Sequence, residues 1–187
     1  PRALHRFGDT RIGGPMVDAT TVARAKRRLE LAVLLQMAYP GAPAIYYGDE
    51  VGLTGGDDPY NRAPFPWADQ GGQPDEALHA QFRRMTAMRH AHPVLRRGTL
   101  LAPLTLDTPD EAVAVLARQL GDGPQATWAI TAFNNAETPR TVRVQLPDGA
   151  PAGTWAAAWG DGPATAQGNR MTLTLPPLGG RVLVRQP

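Results

Sequence analysis

The chain has 187 residues, 42% hydrophobic and 19% charged, with a formal net charge of +2 and no cysteine. That length accommodates one or two domains of about 100–200 residues with a sizeable core, the composition excludes a disordered chain, and the lack of cysteine excludes disulfides, thiol nucleophiles and thiolate-held metals. No apolar run reaches the roughly 20 residues of a membrane span, no signal-peptide layout opens the chain, and no basic stripe is interleaved with aromatics, so neither a membrane nor a nucleic acid is expected as a partner.

Residues 1–20 read as a loop broken by Gly8, Gly13, Gly14 and Pro15. The first helix is predicted from a cap at Thr20 or Thr21. Val22, Ala25, Leu29, Ala32, Val33 and Met37 then recur at spacings of three and four, until Tyr39, Pro40 and Gly41 stop the pattern. The short apolar run Ala42 to Tyr47 has no polar alternation, which predicts a strand buried on both faces of a parallel sheet. It ends at Gly48, Asp49 and Glu50. Residues 51–73 carry Gly52, Gly55, Gly56, Pro59, Pro64 and Pro66, and an irregular loop of this length is usually a functional one. Pro74, Asp75 and Glu76 suit a second helix N-terminus, with Leu78, Phe82, Met85 and the pair Met88 and Arg89 giving its apolar face up to His92 and Pro93.

From about Gly98 the pattern changes to strand-like runs at 113–116, 127–133, 141–146, 154–159, 171–175 and 181–184. Turn signals such as Gly121-Asp122-Gly123 and Pro147-Asp148-Gly149 separate them. This half reads as an antiparallel β-sandwich with Greek-key connections. A helix, a buried strand, a long loop and a helix form one step of a parallel α/β fold, whose functional loop leaves the C-terminal end of the strand.

Specific motifs sit in that loop and around it. Segment 41–52 (GAPAIYYGDEVG) resembles the last barrel strand of the α-amylase family of glycoside hydrolases, family 13. Segments 53–62 (LTGGDDPYNR) and 65–67 (FPW) resemble the following loop in its neopullulanase, cyclomaltodextrinase and maltogenic amylase branch. Segment 82–98 (FRRMTAMRHAHPVLRRG) is similar to the last barrel helix and its exit, and 133–135 (FNN) with 175–184 (LPPLGGRVLV) to the C-terminal domain.

The resemblance implies a fold of two parts: residues 1–95 as the end of a (β/α)8 TIM barrel and residues 96–187 as a C-terminal antiparallel β-sandwich. The implied parent is a retaining α-glucan hydrolase acting on α-1,4 bonds of maltodextrins, cyclodextrins or pullulan. Such enzymes use a carboxylate nucleophile and an acid/base about 5–5.5 Å apart, and the whole barrel takes about 250 residues. Neither carboxylate has a counterpart here. The third family carboxylate follows a His, and residues 1–4 and 8–11 resemble what comes after that pair; Asp9, its rival, is preceded by Gly8 instead. No catalytic residue is therefore expected, and the chain alone is expected to be inactive. An α-glucosyl transferase or isomerase of the same fold, or a non-catalytic glucan-binding module, remain as alternatives.

For substrate binding the resemblance points to Asp58 and Arg62, which match an Asp-Pro-x-x-Arg pattern. A carboxylate only accepts and a guanidinium only donates, so together they satisfy both halves of a sugar hydroxyl, and a spacing of four brings them to one side of a helical turn. The alternative is that Asp58 caps the turn opened by Pro59 and pairs with Arg62. Asp49 and Glu50 are adjacent, point to opposite sides of a strand and cannot readily share one bond, so Glu50 is read as structural. Tyr46, Tyr47 and Trp67 either line the pocket or belong to core and loop anchoring. His90 and His92 do not share a helix face, so no metal site and no cofactor are expected. The expected partner is an α-glucan oligosaccharide; a homodimeric parent in the cytoplasm completes the expectation.

Overall fold

Two carboxylates start the two long helices of the computed structural model, which describes residues 18–55 and 60–187. Residues 1–17, with Asp9, and residues 56–59, with Asp58, lie outside the described residues. Helix α1 (Ala19–Ala38) begins at Asp18, whose carboxylate accepts from the Thr21 amide at 2.9 Å and from its hydroxyl at 2.8 Å. Asp18 thus holds the capping position expected of Thr20 or Thr21. Helix α2 (Glu76–Ala91) begins at Asp75, which accepts from the Leu78 amide at 2.9 Å and from the Lys26 ammonium of α1. The short helix α3 (Pro93–Arg97) follows with proline in its first turn.

Eight strands follow: β1 (Thr99–Leu100), β2 (Val113–Leu120), β3 (Thr127–Asn134), β4 (Arg140–Gln145), β5 (Gly153–Trp159), β6 (Ala164–Gln167), β7 (Arg170–Leu175) and β8 (Gly179–Arg185). They form one sheet in the order β1-β2-β3-β8-β5-β6-β7-β4, every neighbouring pair antiparallel. Strand β5 makes the fold possible. Residues 153–155 pair with β6 and residues 156–159 with β8, with a register shift between Ala157 and Trp159. A bulge of this kind bends a strand, and the sheet curls so that its two halves face each other. The expected sandwich is thus a single curled antiparallel sheet. Segment 101–107 also links its edges: Leu101 and Leu104 donate to β2 carbonyls at Ala117 and Val115, while Asp107 donates to Arg143 and Thr105 accepts from Gln145 on β4. Edge groups that would otherwise invite foreign strands are thereby partly covered.

Burial follows from this layering. Strands β4 and β7 alternate exposed and buried residues, because one of their faces meets solvent. Residues 128–134 of β3 are all buried, because helices cover one face and the opposite half-sheet the other. Trp128, Ile130 and Leu183 join Val144, Trp155, Met171, Leu173 and Leu175 in the core between the half-sheets. Ala129, Phe133, Val182 and Val184 turn the other way and join Leu29, Val33, Leu34, Phe82, Met85 and Leu95 in a second core under the helices. Close approach there depends on Gly180, where an added Cβ would lie 2.6 Å from the Ala132 carbonyl and 2.9 Å from the Leu34 side chain.

One element departs from expectation. Residues 42–46 form no strand, and Ile45, Tyr46 and Tyr47 are 40–44% exposed rather than buried. The physical reason is pairing: an apolar run becomes a buried strand only beside other strands, and among the described residues none runs next to it. At its end Gly48 turns with φ of 88°, where an added Cβ would sit 2.7 Å from the Leu53 side chain.

Candidate functional site

The site loop is held by side chains of the segment that precedes it. Tyr46 donates its hydroxyl to the Asn61 carbonyl at 3.4 Å, and Tyr47 donates to the Ala63 carbonyl at 2.9 Å. These two bonds bracket Arg62, which ends the short 3-10 turn Tyr60–Arg62 and is exposed. The tyrosine rings lie 5.1 Å apart at their centroids and tilt by 34°. Tyr46 and Tyr47 therefore act chiefly as anchors: their hydroxyls are engaged, and their rings contact each other.

Beyond Arg62 the chain brings Phe65 and Trp67 together, ring centroids 4.5 Å apart, with Trp67 55% exposed. Asn61 is buried. Ile45, Tyr47 and Glu50 of the segment line an open groove of about 720 Å³ against α2, where His79, Phe82, Arg83 and His90 form the opposite wall. Oxygen Oε2 of Glu50 is buried with no hydrogen-bond donor, and Asp49 is buried in the 3-10 turn Asp49–Val51. That turn is tied to α2, since the Asp75 amide donates to the Val51 carbonyl at 2.9 Å.

The structure therefore places Tyr46 and Tyr47 against the turn that carries Arg62, with the Phe65–Trp67 pair following it in the chain, while Glu50 lines the groove along α2 together with Tyr47. His90 lines the groove, whereas His92 lies at the start of α3, where burial lowers its pKa. Among the described residues no group of three His, Asp or Glu is placed to hold a metal, and no helix is long and apolar enough to cross a membrane.

Two side chains outside the expected site residues underlie this site. Arg89 of α2 is buried and donates from Nη1 to the carbonyls of Met37 at 2.6 Å, Leu95 at 2.6 Å and Tyr39 at 3.3 Å, and from Nη2 to Gly41 at 2.6 Å. Arg118 of β2 is 3% exposed and donates to Ala38 at 3.1 Å, to Leu95, and through Nε and Nη2 to Gly98 at 3.2 and 2.5 Å. Burial pulls both guanidinium pKa values down, with Arg96 adding to the effect on Arg89 and Arg89 to that on Arg118. Both remain charged, since arginine keeps its proton even well below its ordinary value. Arg118 sits between Leu116 and Leu120, which pack on the helix side; an arginine flanked at two residues on either side by apolar inward positions was the available signal.

No family model matches the chain. It is 33% identical over 171 residues to an amylopullulanase from Thermoanaerobacterium saccharolyticum, a match covering 86% of this chain and 13% of that protein. A cyclomaltodextrinase from Bacillus sp is 37% identical over 118 residues, covering 63% of this chain and 20% of its own length. Among solved structures, an α-amylase from Geobacillus thermoleovorans complexed with acarbose superposes with a TM-score of 0.68 at 26% identity, over 86% of this chain and 34% of that one. The chain thus spans between about an eighth and a third of the length of these proteins.

Proposed function

We propose that this chain, a homologue of the α-amylase-family glycosidases over part of their length, belongs to a retaining α-glucan hydrolase and supplies it with sugar-binding side chains rather than catalytic carboxylates. Residues 1–95 correspond in this reading to the end of the parent's barrel, and residues 96–187 to its C-terminal β-domain. The observation that supports it most is the extent of the amylopullulanase match: a match covering 86% of the chain runs through the helices and the site loop as well as the sheet. A shared β-domain alone would account for only half of it.

In this reading Arg62 donates to glucose hydroxyls and Asp58 accepts from them, while Tyr46 and Tyr47 hold the turn that presents Arg62. No carboxylate of the chain matches the family's nucleophile or acid/base, so the chain alone turns nothing over. The bonds cleaved by the parent are α-1,4 linkages of maltodextrins, cyclodextrins or pullulan. A glucosyl transferase parent would differ by forming sugar-to-sugar bonds while water competes. A second reading, a non-catalytic glucan-binding module, is favoured by the Trp67–Phe65 pair, since an exposed aromatic face stacks on a sugar ring without any need for catalysis. The experiment is a reducing-end assay of the purified chain with maltodextrin and cyclodextrin, beside a calorimetric titration with maltotriose. Binding without turnover is expected; turnover by the chain, or no binding at all, contradicts the proposal.

A further inference from the structure

We infer that Arg89 and Arg118 are positioning residues through which the β-sheet fixes the loop that carries Arg62. The inference begins with helix α1, which has no basic residue in its last turn. The final carbonyls of a helix lack intrahelical donors and carry partial negative charge, so they call for donors and cations from outside. Here two guanidiniums from other elements supply them: Arg118 of the sheet takes Ala38, and Arg89 of α2 takes Met37 and Tyr39. Both also donate to Leu95 in α3, so the two cations are held on one shared oxygen.

The path continues to the loop. Arg89 donates to Gly41, the residue that opens the segment 42–47. That segment has no strand beside it among the described residues, so no sheet ladder fixes it. Its position depends on its two ends: Gly41 on Arg89, and the Gly48 turn, where the Leu53 amide donates to the Gly48 carbonyl at 2.8 Å. Tyr46 and Tyr47 then carry the placement to Asn61 and Ala63 on either side of Arg62. Arg118 donates to Ala38, Leu95 and Gly98 rather than to the loop itself, yet removing it takes the sheet's donor away from the Ala38 and Gly98 carbonyls and leaves Arg89 alone on Leu95. A lysine in either place offers a single ammonium and cannot span the same set of carbonyls.

Hydrogen exchange on the full 187-residue chain tests this without any ligand. Arg118→Met is expected to speed exchange of amides in 44–63 by about tenfold or more while the β4 and β7 amides keep wild-type rates. Arg181→Met, which removes bonds to the distant Gly162 and Pro163 carbonyls, is expected to leave 44–63 unchanged. A uniform rise in exchange, or a rise confined to 95–100, overturns the inference. If Arg118→Met does not fold, Arg89→Lys carries the same expectation and the same refutation. The sugar arm rests on the proposed α-glucan reading: Arg118→Met also weakens maltotriose binding, although Arg118 lies outside the loop. Failure of the wild-type chain to bind maltotriose refutes that reading alone, because the exchange pattern decides the positioning role independently.

Discussion

Arg89 and Arg118 donate to the same acceptor, the carbonyl oxygen of Leu95. One guanidinium comes from the helix behind the site loop and the other from the sheet, so a single peptide group in α3 joins the two halves of the molecule. Like charges this close repel, but each is surrounded by carbonyl oxygens, and hydrogen bonds to a charged group contribute about 1.5–3 kcal/mol apiece, against 0.5–1.5 kcal/mol for neutral ones. Arg118→Met is therefore expected to lower the stability of the chain by about 2–4 kcal/mol, and Arg118→Lys to recover only part of that loss. Urea denaturation of the three proteins checks it; a lysine variant as stable as wild type would show that charge, not the planar fork, is what matters there.

A second prediction concerns the core under the helices. The all-β half looks self-sufficient in sequence, which leads to the expectation that protease releases residues from about 98 onward as a resistant unit. The structure alters that expectation, since Leu34, Met37, Phe82 and Leu95 share one core with Ala129, Phe133, Val182 and Val184. First cuts are expected in the exposed stretches 44–47 and 67–71, leaving α1 and α2 attached to the sheet. Leu34→Ala, at a side chain 1% exposed, is expected to cost about 2–5 kcal/mol and to open the α1 region to cleavage. Mass spectrometry of limited digests distinguishes these products from an early cut near residue 98.

His92 gives a pH prediction. Burial lowers its pKa below the ordinary imidazole value near 6.5, so the folded chain binds this proton less readily than the unfolded one. The unfolded state then holds more protons between the two values, and stability rises with pH across that window and levels off above about 6.5. Denaturation midpoints measured from pH 5 to 7.5 are expected to climb toward neutrality, and His92→Gln to flatten the climb. An unchanged slope in the variant would assign the effect to another group.

The exposed apolar segment predicts association. Ile45, Tyr46 and Tyr47 are 40–44% exposed side by side, with the groove of Ile45, Phe82 and His90 next to them. Contiguous apolar surface of this kind promotes self-association. Sedimentation is expected to show concentration-dependent association that Ile45→Lys reduces. An ideal monomer at all concentrations would contradict this.

Much of the fold was legible in the sequence because local signals and tertiary packing agreed. The three-and-four spacing of Ala25, Leu29 and Val33 and the Pro74-Asp75-Glu76 start describe α1 and α2 within a residue or two. Strands β2, β3, β4, β5, β7 and β8 followed from β-branched or aromatic runs between turn residues. Strand β6, with the sequence Ala-Thr-Ala-Gln, lacks such a signature and exists because β5 and β7 offer it partners. Residues 42–47 failed in the opposite sense, carrying the pattern of a buried strand without neighbours to pair with. The curl at Ala157 and Trp159 is a register shift, which has no compositional mark. At the site, Arg62 enters through the resemblance alone, and Asp58 lies outside the described residues. Arg89 was read only as part of the apolar face of α2, and Arg118 was not singled out, because nothing local in the sequence marks which carbonyls a guanidinium will meet.

The most direct test of an α-glucan-binding loop is a chemical-shift map of the isotope-labelled chain titrated with maltotriose. Perturbed amides are expected to cluster at 46–50 and 60–67, around Tyr46, Tyr47, Arg62 and Trp67, and to lose their response in Arg62→Leu. Perturbations confined to the exposed face of β4 and β7, or a response that survives intact in Arg62→Leu, would contradict it.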